Sequence, residues 1–387
     1  MNPGRADIAA RAAELHRGIF GTDPAAVAVS PGRINIIGEH TDYAGGLCLP
    51  AAIDRYLAVA VSQGERIEVA SERHDDVVRA DPESLARTGG WADYALGVVA
   101  ELGTEGLAVP ARIAIASDIP EGSGLSSSAA LGVAATMAVL DLADLVAEPL
   151  DAGRLARAAE NNFVGVPSGL MDQAAVVLGR RDHALLFDAA VEIGELVALP
   201  GEIAWLVIQS GIERELRGSG YADRAAEAVE ALRQARQMNS ELKSLCDLEP
   251  REVEALALPE PLGRRARHIA GECMRVRMAV ACLEAGNIEA LGQLVLTSHR
   301  SLARDYEVSL PELDEIVEVA VDAGCPGARV MGAGFGGSVL AVAAASEAES
   351  IASKIEAGLK VPGAARQRGG GAVHRLAVVD GAALVQP

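Results

Sequence analysis

Four segments of this chain gather side chains able to do chemistry. The first is Pro31-Gly32-Arg33-Ile34-Asn35-Ile36-Ile37-Gly38-Glu39-His40-Thr41-Asp42-Tyr43, where polar groups interrupt an apolar stretch. Glu39, His40 and Asp42 offer the dense donors and acceptors that a polyhydroxylated ligand needs. A polar turn after a strand has the same composition, and the segment alone leaves both readings open. The second is Pro120-Glu121-Gly122-Ser123-Gly124-Leu125-Ser126-Ser127-Ser128-Ala129-Ala130, running into an apolar helix. Its glycines let backbone approach a ligand, and N–H groups at a helix start attract phosphate. It is neither a Walker A loop nor a dinucleotide fingerprint. A serine cap would need fewer hydroxyls, so anion binding is favoured. The third, Gly332-Ala333-Gly334-Phe335-Gly336-Gly337, reads by itself as a glycine-loaded hairpin turn. In the fourth, Glu160 ends a helical stretch and Gly169-Leu170-Met171-Asp172-Gln173 follows. An Asp among Met, Leu, Ala and Val is partly desolvated, which suits proton transfer. Taken alone, a cap on Gln173–Leu178 by Ser168 or Asp172 is the stronger reading.

The elements that position these segments are built with few aromatics. The chain has 387 residues, of which 50% are hydrophobic but only 3% aromatic, so Ala, Val, Leu and Ile fill the core. That length suits two domains or one large one. The net charge of −20 argues against a nucleic-acid or anionic-membrane partner. Five cysteines, odd in number and widely spaced, read as a reduced cytosolic chain without a disulfide framework. No apolar run reaches membrane length and the first residues form a charged amphipathic helix, so a soluble cytoplasmic protein is expected.

Alternating apolar stretches predict strands at Ala26–Val29, Tyr56–Val61, Ile67–Val69 and Ala111–Ile115, and short apolar runs predict buried strands at Ala204–Gln209 and Ser338–Ala343. Helices are expected at Ala129–Val146, Leu155–Asn161, Tyr221–Leu245, Ala266–Ala285 and Leu310–Ala323. Without a regular βαβ rhythm, the class is α+β. Gly363–Gly371 reads as a mobile loop, and a boundary near Pro200–Gly201 divides residues 1–200 from 201–387.

Taken in order, these segments resemble the motifs of the GHMP small-molecule kinases. The Gly-Glu-His-Thr-Asp-Tyr core within Gly32–Pro50 is similar to the signature of the galactokinase branch, and the likeness extends from about Val27 to Val342. The resemblance implies a two-domain fold, with a ribosomal-protein-S5-like N-terminal domain, a ferredoxin-like C-terminal domain and the site between them. It implies transfer of phosphate from ATP to the C1 hydroxyl of α-D-galactose. Asp172 would then be the catalytic base and Arg33 its charged neighbour. Glu39, His40, Thr41, Asp42, Gly169 and Tyr221 would bind the sugar. Ser71, Trp91, Gly122, Ser123, Gly124, Leu125, Ser126, Ser127 and Ser128 would hold ATP, and Ser128 with Glu160 would hold Mg²⁺. Tyr94 lies with Trp91 where the family contacts the nucleotide, although a core position would suit Trp91 equally. The partners implied are a sugar and ATP, for a monomer with a dimer as the alternative.

Four places depart from the family pattern: Ala44 stands where Asn is usual, Val166-Pro167-Ser168 differs before the Gly-Leu-Met-Asp run, Gln209–Glu213 lacks an Asn-rich strand end, and the tail after Ala344 matches poorly. They bear on which sugar is taken, leaving L-arabinose, N-acetylgalactosamine and galacturonate as alternatives. A non-catalytic sugar sensor is disfavoured, since the serine-rich turn is complete and Asp172 is present.

Overall fold

The computed structural model describes residues 3–107, 109–120, 122–212, 220–359 and 372–386. The expected mobile loop Gly363–Gly371 and the last residue of Gln209–Glu213 lie outside the described residues. The chain opens with α1 (Pro3–Phe20), followed by β1 (Ala26–Asn35), β2 (Leu47–Cys48), β3 (Pro50–Gln63), β4 (Ile67–Ser71), β5 (His74–Ala80), α2 (Asp93–Thr104) and β6 (Ala111–Ser117). Then come α3 (Ser127–Leu142), α4 (Pro149–Ala158), a π-helical turn (Ala159–Val164), α5 (Met171–Leu178), β7 (His183–Asp188), β8 (Ile193–Ala198) and β9 (Ile203–Gln209). The remainder is α6 (Tyr221–Met238), α7 (Pro250–Ala255), α8 (Leu262–Glu284), α9 (Ile288–Ser301), α10 (Pro311–Asp322), β10 (Gly327–Met331), β11 (Ser338–Ala344), α11 (Ala348–Gly358), β12 (Val373–Leu376) and β13 (Ala383–Val385).

The first sheet runs β13-β1-β3-β6-β4-β5, antiparallel except where β4 lies parallel to β6. Alternation along β3 serves both faces. Ile53, Leu57, Val59 and Val61 face the core shared with α2 and α3, while Ala52, Tyr56, Ala58 and Ala60 face α1. Helix α3 is apolar nearly all round because it is covered on nearly every side. A second sheet, β10-β11-β9-β12, packs against α6, α8 and α10. Along β9, Trp205 and Val207 join the first core, while Ala204, Leu206 and Ile208 join the second. A small third sheet is ordered β2-β7-β8.

The sequence-predicted strands lie within β1, β3, β4, β6, β9 and β11. The helix expected over Tyr221–Leu245 ends at Met238, because Asn239 turns extended and Ser244 caps a new 3₁₀ turn. The division expected near residue 200 placed the whole tail with the second half, yet β13 pairs with β1 in the first sheet. The cysteine reading is corrected: Cys246 and Cys273 are paired in a disulfide, with Cα atoms 5.5 Å apart. Packing of the 3₁₀ turn Leu245–Asp247 on α8 joins two cysteines whose sequence separation had argued against it.

Helix α9 lies so close to the start of β10 that a Cβ on Gly292 would stand 2.5 Å from the Pro326 carbonyl carbon. Backbone cannot yield as a flexible side chain can, so Gly292→Ala should cost about 1–3 kcal/mol of unfolding free energy. Urea denaturation checks this, and an unchanged midpoint would contradict it.

Candidate active site

Arg33 sits near the end of β1, just past a register shift at Pro31/Gly32. Gly32 is needed there, since a Cβ would stand 2.8 Å from the Leu125 carbonyl oxygen. The guanidinium is 3% exposed and meets Asp172 in a two-point pair, Nε to Oδ1 and Nη2 to Oδ2, each 2.7 Å. Its Nη1 donates to the Gly124 carbonyl, and the Ser126 hydroxyl donates to Asp172 Oδ2. The capping reading of Asp172 is thereby overturned. It lies in the first turn of α5, whose N-cap Leu170 makes no side-chain cap bond, and Ser168 is turned to Glu160 and Asn161 instead.

The glycine–serine segment bends through left-handed backbone at Gly122 (φ 67°), Gly124 (φ 76°) and Ser126 (φ 61°). Because Ser126 spends its hydroxyl on Asp172 and does not cap α3, the first N–H groups of this long helix are left without a side-chain cap. The third glycine segment is the β10–β11 hairpin. Gly332 and Ala333, rather than Gly334–Gly337, line the cleft, and Ser338 supports the cradle by donating to the Ser123 carbonyl at 2.6 Å.

A cavity of about 310 Å³ opens between these elements. Of the residues expected at the site, Arg33, Glu39, His40, Asp42, Ser71, Trp91, Gly122, Gly124, Ser126, Ser127, Ser128, Glu160, Gly169, Asp172 and Tyr221 line it. Thr41, Ser123 and Leu125 are not among its lining. Thr41 turns its hydroxyl to the carbonyls of Gly38 and Leu47, Ser123 turns its own to Pro120, and Leu125 buries its side chain in the core. Each shapes the cavity from behind.

At one end stand Glu39, His40 and Asp42. Glu39 Oε1 accepts from the Gly332 N–H at 2.7 Å and from fully buried Arg329 at 3.1 Å. His40 holds left-handed backbone (φ 63°), and its Nδ1 is 2.9 Å from the Tyr43 hydroxyl within an aromatic cluster that includes Tyr221 and Tyr306. Asp42 packs onto Gly169, where any side chain would collide with its carboxylate. Its edge meets the cavity, but burial, helped by the charges of Asp172 and Glu39, pushes its pKa up to about 7.

At the other end, Trp91 stacks on His74 with ring centroids 4.6 Å apart and planes 3° from parallel. It lies partly against the core and partly on the cavity wall. Arg73, His74 and Ser117 also line the cavity and were missed. For Arg73 and His74 the only signal was the polar break Ser71-Glu72-Arg73-His74, which the parallel β4–β6 pairing brings beside Ser117 at the end of β6.

Glu160 belongs to the π-helical turn, and its Oε2 accepts from Ser168 and Gln173 at 2.9 Å each. Burial pushes its pKa up to about 7, while hydrogen bonds from Ser168, Gln173 and Ser128 work the other way. A buried carboxylate beside a serine hydroxyl is an oxygen-only donor pair that fits Mg²⁺. Among the described residues no group of three or more His, Cys, Asp or Glu could hold a metal alone. A cation here would therefore share its shell with water and ligand oxygens.

The sequence and the fold both have known relatives. The GHMP kinases N terminal domain matches residues 93–180, the GHMP kinases C terminal matches 279–361, and the galactokinase galactose-binding signature matches 14–63. A mevalonate kinase from L. major, in complex with R-mevalonate, has the same fold at TM-score 0.63 and 20% identity, over 91% of this chain and 95% of its own. The fold is thus that of a GHMP kinase, a two-domain α+β enzyme. A galactokinase from Roseiflexus sp. is 42% identical over 341 residues, 86% of this chain and 87% of that relative. One from Thermococcus kodakarensis is 39% identical over 84% of this chain and 91% of its own. The crystal structure of Lactococcus lactis galactokinase complexed with galactose superposes at TM-score 0.87 and 31% identity, over 97% of this chain and 99% of that one. The chain belongs to the galactokinase family.

Asp42 gives the ligand-free protein a pH signature. The folded state holds its proton up to about pH 7, whereas an unperturbed aspartate releases it near 3.8. Its stabilising contribution is full below the lower value and is lost as pH rises through the upper one. Asp42→Asn should remove about 2 kcal/mol of the fall in unfolding free energy between about pH 5 and about pH 8. Urea titrations at the two pH values check this; parallel losses in both proteins would contradict it.

Proposed function

We propose that this cleft transfers the γ-phosphoryl group of ATP to the C1 hydroxyl of α-D-galactose, giving ADP and galactose 1-phosphate. The observation that carries the reading is the two-point Arg33–Asp172 pair, set in one cavity between the glycine–serine cradle and the polar turn Glu39–Asp42. Asp172 takes the C1 hydroxyl proton as that oxygen attacks phosphorus. Its two hydrogen-bond partners fix the carboxylate's direction, and positioning is most of what phosphoryl transfer asks of a protein. Arg33 keeps a permanent positive charge beside the carboxylate and the transferring group. Glu39, His40, Asp42 and Tyr221 take the sugar hydroxyls, and the Gly169 backbone closes that wall. N–H groups of Gly122–Ser128 and the start of α3 take the phosphates, while Trp91, with Ser71 nearby, flanks the base. Ser128 and Glu160 would hold Mg²⁺, which neutralises phosphate charge when bound.

Of the alternative sugars, galacturonate would need a cation for its carboxylate. Among the described residues, the arginines lining the cavity are Arg33, committed to Asp172, and Arg73, on the Trp91 side. Ala44 bears little on selection, since it is buried and its carbonyl accepts from Ser244 behind the pocket.

A coupled ADP-release assay across galactose, L-arabinose, N-acetylgalactosamine and galacturonate should give the highest kcat/KM with galactose. Turnover with arabinose and none with galactose would sink the assignment. Asp172→Asn should cut kcat by about 10²–10⁴-fold while calorimetry still detects sugar binding. Near-normal turnover would remove Asp172 as the base.

A further inference from the structure

The turn that carries Glu39, His40 and Asp42 is gripped from the other side of the molecule by α8, far away in sequence. Glu272 is fully buried there. Its Oε1 accepts from the Gly38 backbone N–H at 3.0 Å and the Ser298 hydroxyl at 2.6 Å, and its Oε2 accepts from Arg275 Nε at 2.7 Å. One helical turn earlier, buried His268 places Nε2 at 3.1 Å from the Glu39 carbonyl oxygen and Nδ1 at 3.0 Å from the Ser301 hydroxyl. A carbonyl only accepts, so Nε2 carries the proton. Burial pushes the His268 pKa down to about 4, which keeps the ring neutral with its proton on Nε2. Thus α8 holds both the N–H and the C=O that flank the Gly38–Glu39 link. Gly38 itself has φ 101° and lies against Leu47 and Cys48, so the turn has no room of its own to shift.

We propose that Glu272 and His268 are positioning residues for sugar recognition: they fix the Gly38–Glu39 backbone, and through it the aim of the Glu39 and His40 side chains, without touching the substrate. This rests on the reading that Glu39–Asp42 contacts the sugar. Burial works against the Glu272 charge, but Arg275 and its neighbours outweigh it and hold the carboxyl down at about 2, so the acceptor is permanent near neutral pH. The α8 grip lies on the sugar side, and the cradle of Gly122–Ser128 is hydrogen-bonded to other groups. Loosening the grip should therefore act on the sugar and spare ATP.

The test is Glu272→Gln. Arg275 can only donate, so the amide oxygen turns to it and the amide NH₂ faces the Gly38 N–H, donor against donor. The expected result is a galactose KM about tenfold higher, with ATP KM and kcat within about twofold of the parent. Arg275→Met is the control: it removes the ion-pair partner yet leaves Glu272 facing Gly38. It should lower Tm and leave galactose KM in place. An unchanged galactose KM in Glu272→Gln, a joint shift of both KM values and kcat, or an equal galactose effect in Arg275→Met would each overturn the proposal. Where Glu272→Gln gives no folded protein, His268→Phe keeps the ring against Tyr306, loses the N–H to Glu39 and carries the same expectation. Asp42→Asn separates the two readings. If it leaves galactose KM unchanged, the sugar assignment of the turn fails and the inference with it; if it raises galactose KM while Glu272→Gln does not, the positioning role alone fails.

Discussion

One buried guanidinium ties the catalytic end of this molecule together. Arg33 is almost entirely out of water, and a charge there requires partners for most of its donors. It finds them outside its own strand, in the Gly124 carbonyl of the glycine–serine segment and in Asp172 of α5. The backbone adds a further tie, since Arg33 N–H donates to the Leu125 carbonyl at 3.1 Å. That approach is possible only because Gly32 has no side chain. The register shift at Pro31/Gly32, the left-handed turns at Gly124 and Ser126, and the start of α5 are therefore one solution to satisfying one arginine. Asp172, the glycine–serine segment and the charge between them cannot be moved separately.

A second buried arginine plays the corresponding part between the two sheets. Arg329 of β10 is fully buried and reaches across to the carbonyls of Asn35 and Ile36 and to the Glu39 carboxylate. Glu39 also accepts from Gly332 N–H in the hairpin that lines the cavity. The polar turn after β1 is therefore completed by groups from the far half of the chain. A buried pair is weak evidence for stability but good evidence for a fixed geometry. Here it makes one side of the cleft a joint product of both halves, while the β9 side chains Trp205 and Val207 extend the first core into the second sheet.

Much of this was legible in the sequence where chemistry and local structure coincide. Glycines with serines ahead of an apolar helix mark a cradle, and the dense Glu-His-Thr-Asp run marks a polar turn. The strands containing Ala26–Val29 and Ala204–Gln209 show their apolar runs plainly. What depends on the rest of the fold was not legible. From its local segment alone Asp172 read as a helix cap, and only the family resemblance set it beside Arg33, 139 positions away. Glu272, His268 and Arg329 sit in helical or strand patterns that do not announce a buried polar role. Arg73 and His74 face the cleft through a strand pairing, and the return of β13 to β1 follows a segment with no pattern to read. The Cys246–Cys273 pair likewise depends on packing between two helical elements.

The surplus of negative charge looks at first like an obstacle to binding a polyphosphate, because the chain carries −20 overall. The cleft resolves it locally. Several acidic groups at the site are neutralised in place: Asp172 and Glu39 are paired with arginines, and burial drives Asp42 and Glu160 toward their protonated forms. The proposed phosphate side presents backbone N–H groups at the start of α3 and, nearby, Arg73. Many of the remaining carboxylates, such as Glu230 on α6 and Glu249 and Glu347 at helix starts, are on the surface, where water and salt screen them within about 10 Å. Among the described residues, an anionic ligand inside the cleft therefore meets a handful of oriented dipoles and the arginines Arg33 and Arg73 rather than the sum of the charges. A carboxylate that burial holds near neutral also yields readily to a divalent cation, because ionising it beside that cation restores the charge balance that burial had denied. Held up at about 7 by burial, Glu160 adds less negative charge to the cleft than an ordinary carboxylate would.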